Sequence, residues 1–323
     1  MRRREFLSVA AGLAALPFAA RAQAAIPVIG FLHQGSADQN VERIATFRKG
    51  LAQIGLIEGQ NIAIEFRWAD GAYDKLPGLA AELVRQQVAV ITTPFSTEGA
   101  LAAKAATKTI PIVFLSSASP VQIGLVASLN RPGGNITGVT TLNAELVPKR
   151  LGLLREMAPD ATHYFALINP DSTLAEGFIR DVAAAAAALG IRVDILRATN
   201  SPELEAAFAG IPRHSLLLCG TDANFFVRRE QIATLAIRHG TATIFDAPAY
   251  TRAGGLMSYS ADDLGLVLLT TGYIGRVLRG EKPADLPVAQ PTKFVMTVNL
   301  KTAGALDLKV PQSLLATADE VIE

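Results

Sequence analysis

From position 27 onward, short runs of β-branched and other apolar residues alternate with longer stretches whose apolar positions recur every three or four residues. The run at 28–32 predicts a strand. The stretch at 41–54 places Ile44, Phe47, Leu51 and Ile54 on one face and stops near Gly55, which predicts an amphipathic helix. The same logic predicts strands at 61–66, 88–92, 110–115 and 138–140, with helices at 76–84 and 100–107 between them. The plan then restarts. A strand at 164–168 leads into an Ala-rich helix with capping-box spacing at Thr173 and Glu176 and an end at Gly190. A strand at 191–196, a capped helix opening at Ser201-Pro202-Glu203, a buried strand at 216–219, a helix at 230–238 and a strand at 243–245 follow.

Strands that alternate with helices imply an α/β fold with parallel sheets covered on both faces. Two copies of the plan predict two doubly wound parallel-sheet lobes. The tail adds a strand at 255–258, which the second lobe does not need, then a helix at 264–278 and a last strand at 294–298. The chain is therefore expected to pass between lobes near Asn143, near Ala249 and near Lys282-Pro283, forming a multi-crossing hinge. Lobe 1 would comprise 25–142 plus 250–281, and lobe 2 would comprise 143–249 plus 282–323.

The first 24 residues stand outside this plan. Arg2, Arg3 and Arg4 precede an apolar stretch from Val9 to Ala20, and Ala22-Gln23-Ala24 follows. That is the basic start, apolar middle and small-residue cleavage site of an export signal. Arg3-Arg4-Glu5-Phe6-Leu7 resembles a twin-arginine signal, and an Arg-rich general secretory signal is the other reading. Both predict a periplasmic protein, with the twin-arginine route preferred. The stretch is shorter than the roughly 20 residues that span a bilayer, and no later stretch is longer, so membrane insertion is not expected.

Charge and cysteine content narrow the function. The chain has 30 basic and 29 acidic residues. Removing residues 1–24 takes away Arg2, Arg3, Arg4, Arg21 and Glu5 and leaves 26 basic against 28 acidic groups, a net charge of −2. No basic excess marks a nucleic-acid partner. The single cysteine, Cys219, ends a run of leucines and predicts a buried, inert thiol. One cysteine precludes an intrachain disulfide and a thiolate-rich zinc site, and at position 219 it is no lipid attachment point behind a cleaved signal.

In open parallel sheets, ligands bind at the carboxyl ends of the strands, where helix N-termini offer unpaired N–H groups to an anion. The loops there are rich in hydroxyls and poor in charge. They supply Gln34 and Ser36; Thr93, Pro94, Phe95 and Ser96; Ser117 and Ser119; Ser172; Asp222 and Asn224; and Asp246. Ser, Thr, Asp and Asn also serve as ordinary helix caps, a reading that competes at each of these positions. Asp222 stands out because Thr221 and Asn224 can share its capping, leaving its carboxylate for an ammonium group. Phe95 and Tyr259 are expected to flank an apolar ligand body. Trp68 is read as a core or rim residue. His33 is the one histidine in a cleft loop, with no evident acid or metal partner, and no metal or cofactor is expected. Gly-x-Ser-x-Gly, a phosphate-binding loop and His-Glu-x-x-His are all missing from the sequence, so no enzymatic activity is expected.

Several segments resemble a known family. They include Phe47-Arg48-Lys49-Gly50-Leu51, Glu58-Gly59-Gln60-Asn61-Ile62, Ile110-Pro111-Ile112-Val113-Phe114 and Pro120-Val121 with Gly124-Leu125-Val126. Arg131-Pro132-Gly133-Gly134-Asn135-Ile136-Thr137-Gly138-Val139, Thr221-Asp222, Gly280-Glu281-Lys282-Pro283-Ala284-Asp285 and Val298-Asn299-Leu300-Lys301-Thr302-Ala303 continue the match. Together they resemble the bacterial ABC-transporter substrate-binding proteins of the tryptophan/tyrosine-type group. The resemblance implies a type I periplasmic-binding-protein fold that closes on a solute and hands it, as a monomer, to an ABC permease in the inner membrane. Thr93-Pro94 matches the family's loop, as do the acidic positions Asp222 and Asp246. Phe95 is bulkier than the family's small residue, and Ser119 stands where the family has Asp. These departures imply an aromatic or carboxylic ligand, less cationic than a plain amino acid. A sensory binding protein that docks on a receptor, or an exported enzyme using the same cleft, are the alternatives.

Overall fold

The computed structural model describes residues 26–323, and the export signal expected at 1–24 lies outside them. The first sheet contains β1 (Val28–His33), β2 (Ala63–Trp68), β3 (Val90–Pro94), β4 (Ile112–Ser116) and β5 (Ile136–Thr140), all parallel, in the order β2-β1-β3-β4-β5. Helices α1 (Val41–Gln53), α2 (Leu76–Arg85) and α3 (Thr97–Ala106) connect its strands. The second sheet contains β6 (Tyr164–Ile168), β7 (Val193–Arg197), β8 (Leu216–Cys219), β9 (Ala242–Phe245) and β10 (Met257–Ala261), and repeats the same order as β7-β6-β8-β9-β10. Its helices are α4 (Val147–Met157), α5 (Ala175–Leu189), α6 (Ser201–Ala209), α7 (Ala223–Val227), α8 (Arg229–His239) and α9 (Pro248–Arg252). Both strand orders reverse next to their first strand, so each lobe has a switch point, at β1/β3 and at β6/β8.

The tail departs from the sequence pattern in two places. Segment 250–281 is not one block of lobe 1. Strand β10 pairs in parallel with β9 and extends the second sheet, and only α10 (Asp263–Leu278) returns to pack on α1 in the first lobe. Segment 282–289 is not yet lobe 2. Thr137 Oγ1 donates to the Leu286 carbonyl at 2.6 Å, and Ala289 exchanges backbone hydrogen bonds with Gly138 and Thr140. The second and third passages therefore fall at about 262 and about 290–293 rather than near Ala249 and Lys282-Pro283. An apolar strand pattern shows that a segment belongs to a sheet but not which sheet. After the third passage, β11 (Phe294–Asn299) runs antiparallel to β10, and α11 (Leu300–Ala305), α12 (Gln312–Thr317) and β12 (Glu320–Ile322) close the second lobe. That sheet is thus parallel in its interior with an antiparallel edge.

Apolar side chains cover both faces of each sheet. Ile29, Phe31, Val113 and Val139 pack under α1 and α10, while Leu32, Ile91 and Phe114 pack under α2 and α3. Ala166, Leu216 and Ile244 face α4 and α5, and Leu167, Leu217 and Phe245 face α6 and α8. Gly138 is required by close approach. A Cβ there would lie 2.1 Å from the Phe114 carbonyl oxygen. The three-glycine segment 133–138 accordingly runs from a turn, with φ of 74° at Gly133 and 67° at Gly134, into β5.

Helix α4 has no counterpart in the sequence prediction, although Leu151 and Leu154 are spaced for a buried face and Pro148 sits in its first turn. The expected capping box at Thr173 and Glu176 does not form: α5 begins at Ala175 without a side-chain cap. For α6 the cap is Asn200, whose side chain accepts from the Glu203 N–H, with Ser201 already inside the helix.

Candidate functional site

The two switch points face each other across a cleft of about 750 Å³, open mouth included. From the first lobe it is lined by His33 at the end of β1 and Gln34 after it, by Phe95, Thr97 and Glu98 after β3, and by Ser117 after β4. From the second it is lined by Ser172 after β6, Thr221 and Asp222 after β8, and Asp246 after β9. An adjoining chamber of about 800 Å³ shares Ser117, Asn143 and Thr221 and is also lined by Ser119.

Of the predicted site residues, Gln34, Phe95, Ser117, Ser172, Asp222 and Asp246 line the central cleft, and Ser119 the adjoining chamber. The rest lie behind or beside it. Ser96 is fully buried; its Oγ accepts from the Gln34 N–H at 3.1 Å and donates to Gln34 Oε1 at 3.2 Å, so it holds Gln34 in place. Thr93 and Pro94 complete β3 within the sheet. The Ser36 hydroxyl turns to Asp38. Asn224 packs against Gly71 of the other lobe. Tyr259 does not reach the cleft. Strand alternation sends its ring to the face opposite Ser260, where it stacks on Phe294 with ring centres 6.1 Å apart, while Ser260 lines the site.

Asp222 is not free for a ligand in the way its flanking residues suggest. It is the N-cap of α7, with φ −158° and ψ 141°, and its Oδ1 accepts from the N–H groups of Asn224 and Phe225. Asn169 Nδ2 donates to both its oxygens at 3.1 Å, and the Tyr73 hydroxyl of the first lobe donates to Oδ2 at 3.1 Å. Burial pushes its pKa up to about 6 despite these donors. Burial, with Asp222 next, also raises the Tyr73 phenol.

Several site residues were not legible as such. Arg43 projects from α1, its guanidinium carbon 4.0 Å from the Phe95 ring centre and 4.5 Å from that of Phe226, with a 2.6 Å bond to Asp263. Phe95 and Phe226 come from opposite lobes, so this stack exists only when the lobes meet. Phe95 adopts φ 53°, a left-handed conformation that costs a bulky residue roughly 1–3 kcal/mol. Glu98, the second residue of α3, spans the cleft: its Oε1 accepts from Thr173 Oγ1 at 3.1 Å and Ser172 Oγ at 3.4 Å. This explains the missing capping box, since the Thr173 hydroxyl is drawn to a carboxylate in the other lobe. Asn143, at the first passage between lobes, donates through Nδ2 to Thr221 and to Asp246. Its amide is oriented by the buried Arg150, which donates to Asn143 Oδ1 at 2.7 Å and to the Tyr259 carbonyl at 2.7 Å. Burial lowers the Arg150 pKa, with Asp246 nearby opposing it. An acidic residue directly after a cleft hydroxyl was a usable signal for Glu98. Arg43 and Asn143 had none, because helix periodicity does not say which polar position faces another lobe.

His33 ends β1 with 4% exposure. Its Nδ1 accepts from the Gly35 N–H at 2.8 Å, so the neutral ring carries its proton on Nε2, which has no partner. Thr97 and Glu98 open α3, whose N-terminus lacks a side-chain cap because Ser96 is engaged with Gln34. Trp68 packs against His33 and Phe31 at 5.2 and 5.3 Å, a rim position on the aromatic cluster. Cys219 is buried, and burial raises its thiol pKa, as expected of an inert side chain. Among the described residues no group of three or more His, Cys, Asp and Glu side chains is arranged for a metal ion.

Two doubly wound lobes, hinged by three passages of chain and facing each other across a cleft at their switch points, define the type I periplasmic-binding-protein fold. The chain belongs to the ABC transporter substrate binding protein family, whose model matches residues 25–322. It is 26% identical over 265 residues to a tyrosine-binding protein of Clostridioides difficile (strain R20291), covering 81% of this chain and 76% of that one. A conserved domain protein from Vibrio cholerae superposes with a TM-score of 0.86 at 24% identity, over 92% of this chain and 99% of that one. An ABC domain from Streptococcus pneumonia in complex with L-Trp superposes with a TM-score of 0.83, also at 24% identity and over 92% and 99% of the two chains. Among the described residues no helix is long and apolar enough to cross a membrane.

Proposed function

We propose that this chain is the solute-binding component of an ABC importer, exported to the periplasm by the twin-arginine route. There it works as a monomer that captures an aromatic, amino-acid-like or carboxylate ligand and delivers it to an inner-membrane permease. The observation that carries the ligand class is the pairing of donors with an aromatic slot. The uncapped start of α3 at Thr97 and the unpartnered His33 Nε2–H suit a carboxylate. The planar Arg43 guanidinium lies between Phe95 and Phe226 at spacings that a ligand ring would also adopt. The relatives that bind tyrosine and L-Trp agree with this class. Closure is then a population shift, because only the closed form presents both lobes to the ligand.

A thermal-shift screen of amino acids, aromatic acids and small carboxylates tests the proposal. A ligand at 100 times its Kd stabilises the native state by about 2.7 kcal/mol, which is read as several degrees in Tm. L-tryptophan or L-tyrosine is the expected hit. The reading falls if no aromatic amino acid or aromatic acid raises Tm.

A further inference from the structure

Among the described residues, Glu98 is the one carboxylate of the cleft with an oxygen that is both buried from solvent and without a hydrogen-bond partner. Its side chain is buried, at 8% exposure, and its Oε2 has no hydrogen-bond partner. Glu98 takes part in none of the ion pairs among the described residues. By contrast, both oxygens of Asp222 are occupied by donors, Asp263 is paired with Arg43, and Asp246 accepts from Asn143. A buried carboxylate without a donor is costly, and a cationic N–H group is the partner that best offsets the cost. The other oxygen of Glu98 already accepts from Ser172 and Thr173 of the opposite lobe.

We propose that Glu98 is the acceptor for a cationic nitrogen of the ligand, and that the same carboxylate couples capture to closure through Ser172 and Thr173. This rests on the solute-binding reading above and moves the ammonium site from Asp222 to Glu98. The ligand is then zwitterionic or cationic: an aromatic body, a nitrogen within reach of Glu98 Oε2 and, for an amino acid, a carboxylate at the start of α3. One carboxylate serves both roles. An ammonium on Oε2 neutralises a buried charge that an open cleft would leave to water, while Oε1 holds the second lobe in place.

The test uses Glu98→Gln, which keeps shape and the Oε1 acceptor while removing the charge. Three calorimetric probes are used: L-tyrosine, tyramine without the carboxylate, and 3-(4-hydroxyphenyl)propionate without the amine. The variant is expected to bind L-tyrosine and tyramine at least about 30-fold more weakly than wild type and the propionate within about threefold. Equal losses for all three probes, or unchanged L-tyrosine affinity, overturn the assignment while wild-type binding keeps the solute-binding reading intact. Tyramine binding without L-tyrosine binding removes the amino-acid reading, and its loss in Glu98→Gln still supports Glu98. Wild type that binds neither these three nor the matching indole set (L-tryptophan, tryptamine and 3-indolepropionate) overturns both. Thr173→Val removes one cross-lobe hydrogen bond and is expected to weaken L-tyrosine and the propionate alike, by about tenfold. Unaltered affinities in that variant overturn the closure half of the proposal.

Discussion

Acid should weaken this fold through one histidine. Burial, with Arg43 second, lowers the His33 pKa to about 3 from the 6.5 of an unfolded chain. Below pH 6.5 the unfolded chain takes up a proton that the folded chain refuses. The contribution is therefore full above about pH 6.5 and is lost progressively as pH falls toward 3. At 1.36 kcal/mol per pKa unit, the loss is about 2 kcal/mol at pH 5 and about 3 kcal/mol at pH 4. His33→Asn isolates the effect, because Asn Oδ1 can accept the same Gly35 N–H two residues on and does not titrate. At pH 7.5 the variant is less stable by about 1–2 kcal/mol, having lost ring contacts with Phe31 and Trp68. Urea unfolding at pH 7.5, 6, 5 and 4 should show that deficit shrinking and then reversing. Groups common to both proteins cancel in the difference. Asp222 is one of them, with the opposite sign: its raised pKa favours the fold below about 3.8, a contribution lost as pH rises through about 6. Parallel stability curves for the two proteins between pH 7.5 and 4 would refute the buried neutral imidazole.

Two further outcomes follow from the packing. Gly138→Ala drives a methyl group into the Phe114 backbone, and it should cost about 3 kcal/mol or more in a urea titration; a loss below about 1 kcal/mol contradicts the close approach. Arg150→Met keeps the apolar stem but frees the Asn143 amide from its orienting bond. Removing the donor leaves Asn143 Oδ1 and the Tyr259 carbonyl unsatisfied and should cost about 1–3 kcal/mol, and L-tyrosine affinity should fall about tenfold by calorimetry. Unchanged affinity would show that the Arg150–Asn143 pair positions nothing in the cleft.

Most strands and helices of both lobes were legible in the chain because periodicity and punctuation are local. Strand β6 runs over the same five residues in prediction and structure, and Gly190 ends α5 in a left-handed conformation as a helix stop should. The short terminal elements α11, α12 and β12 were missed, since three to six residues carry too little pattern to separate from loop. Loop positions after strands were legible for the same reason, so Gln34, Phe95, Ser117, Ser172, Asp222 and Asp246 could be placed at the cleft in advance.

What the chain could not say is which neighbour each polar group would meet. Tyr259 was lost to the far face by one step of strand alternation, and Asp222 by the donors that surround it. Glu98 meeting Thr173, Arg43 between Phe95 and Phe226, and β10 joining the second sheet are contacts between residues 52 to 183 positions apart, or choices between two similar sheets. Local residue order determines helices, strands and turns, because those depend on backbone preferences and neighbours within a few positions. Which carboxylate oxygen is left buried without a partner depends on how the two lobes meet, which local residue order does not encode.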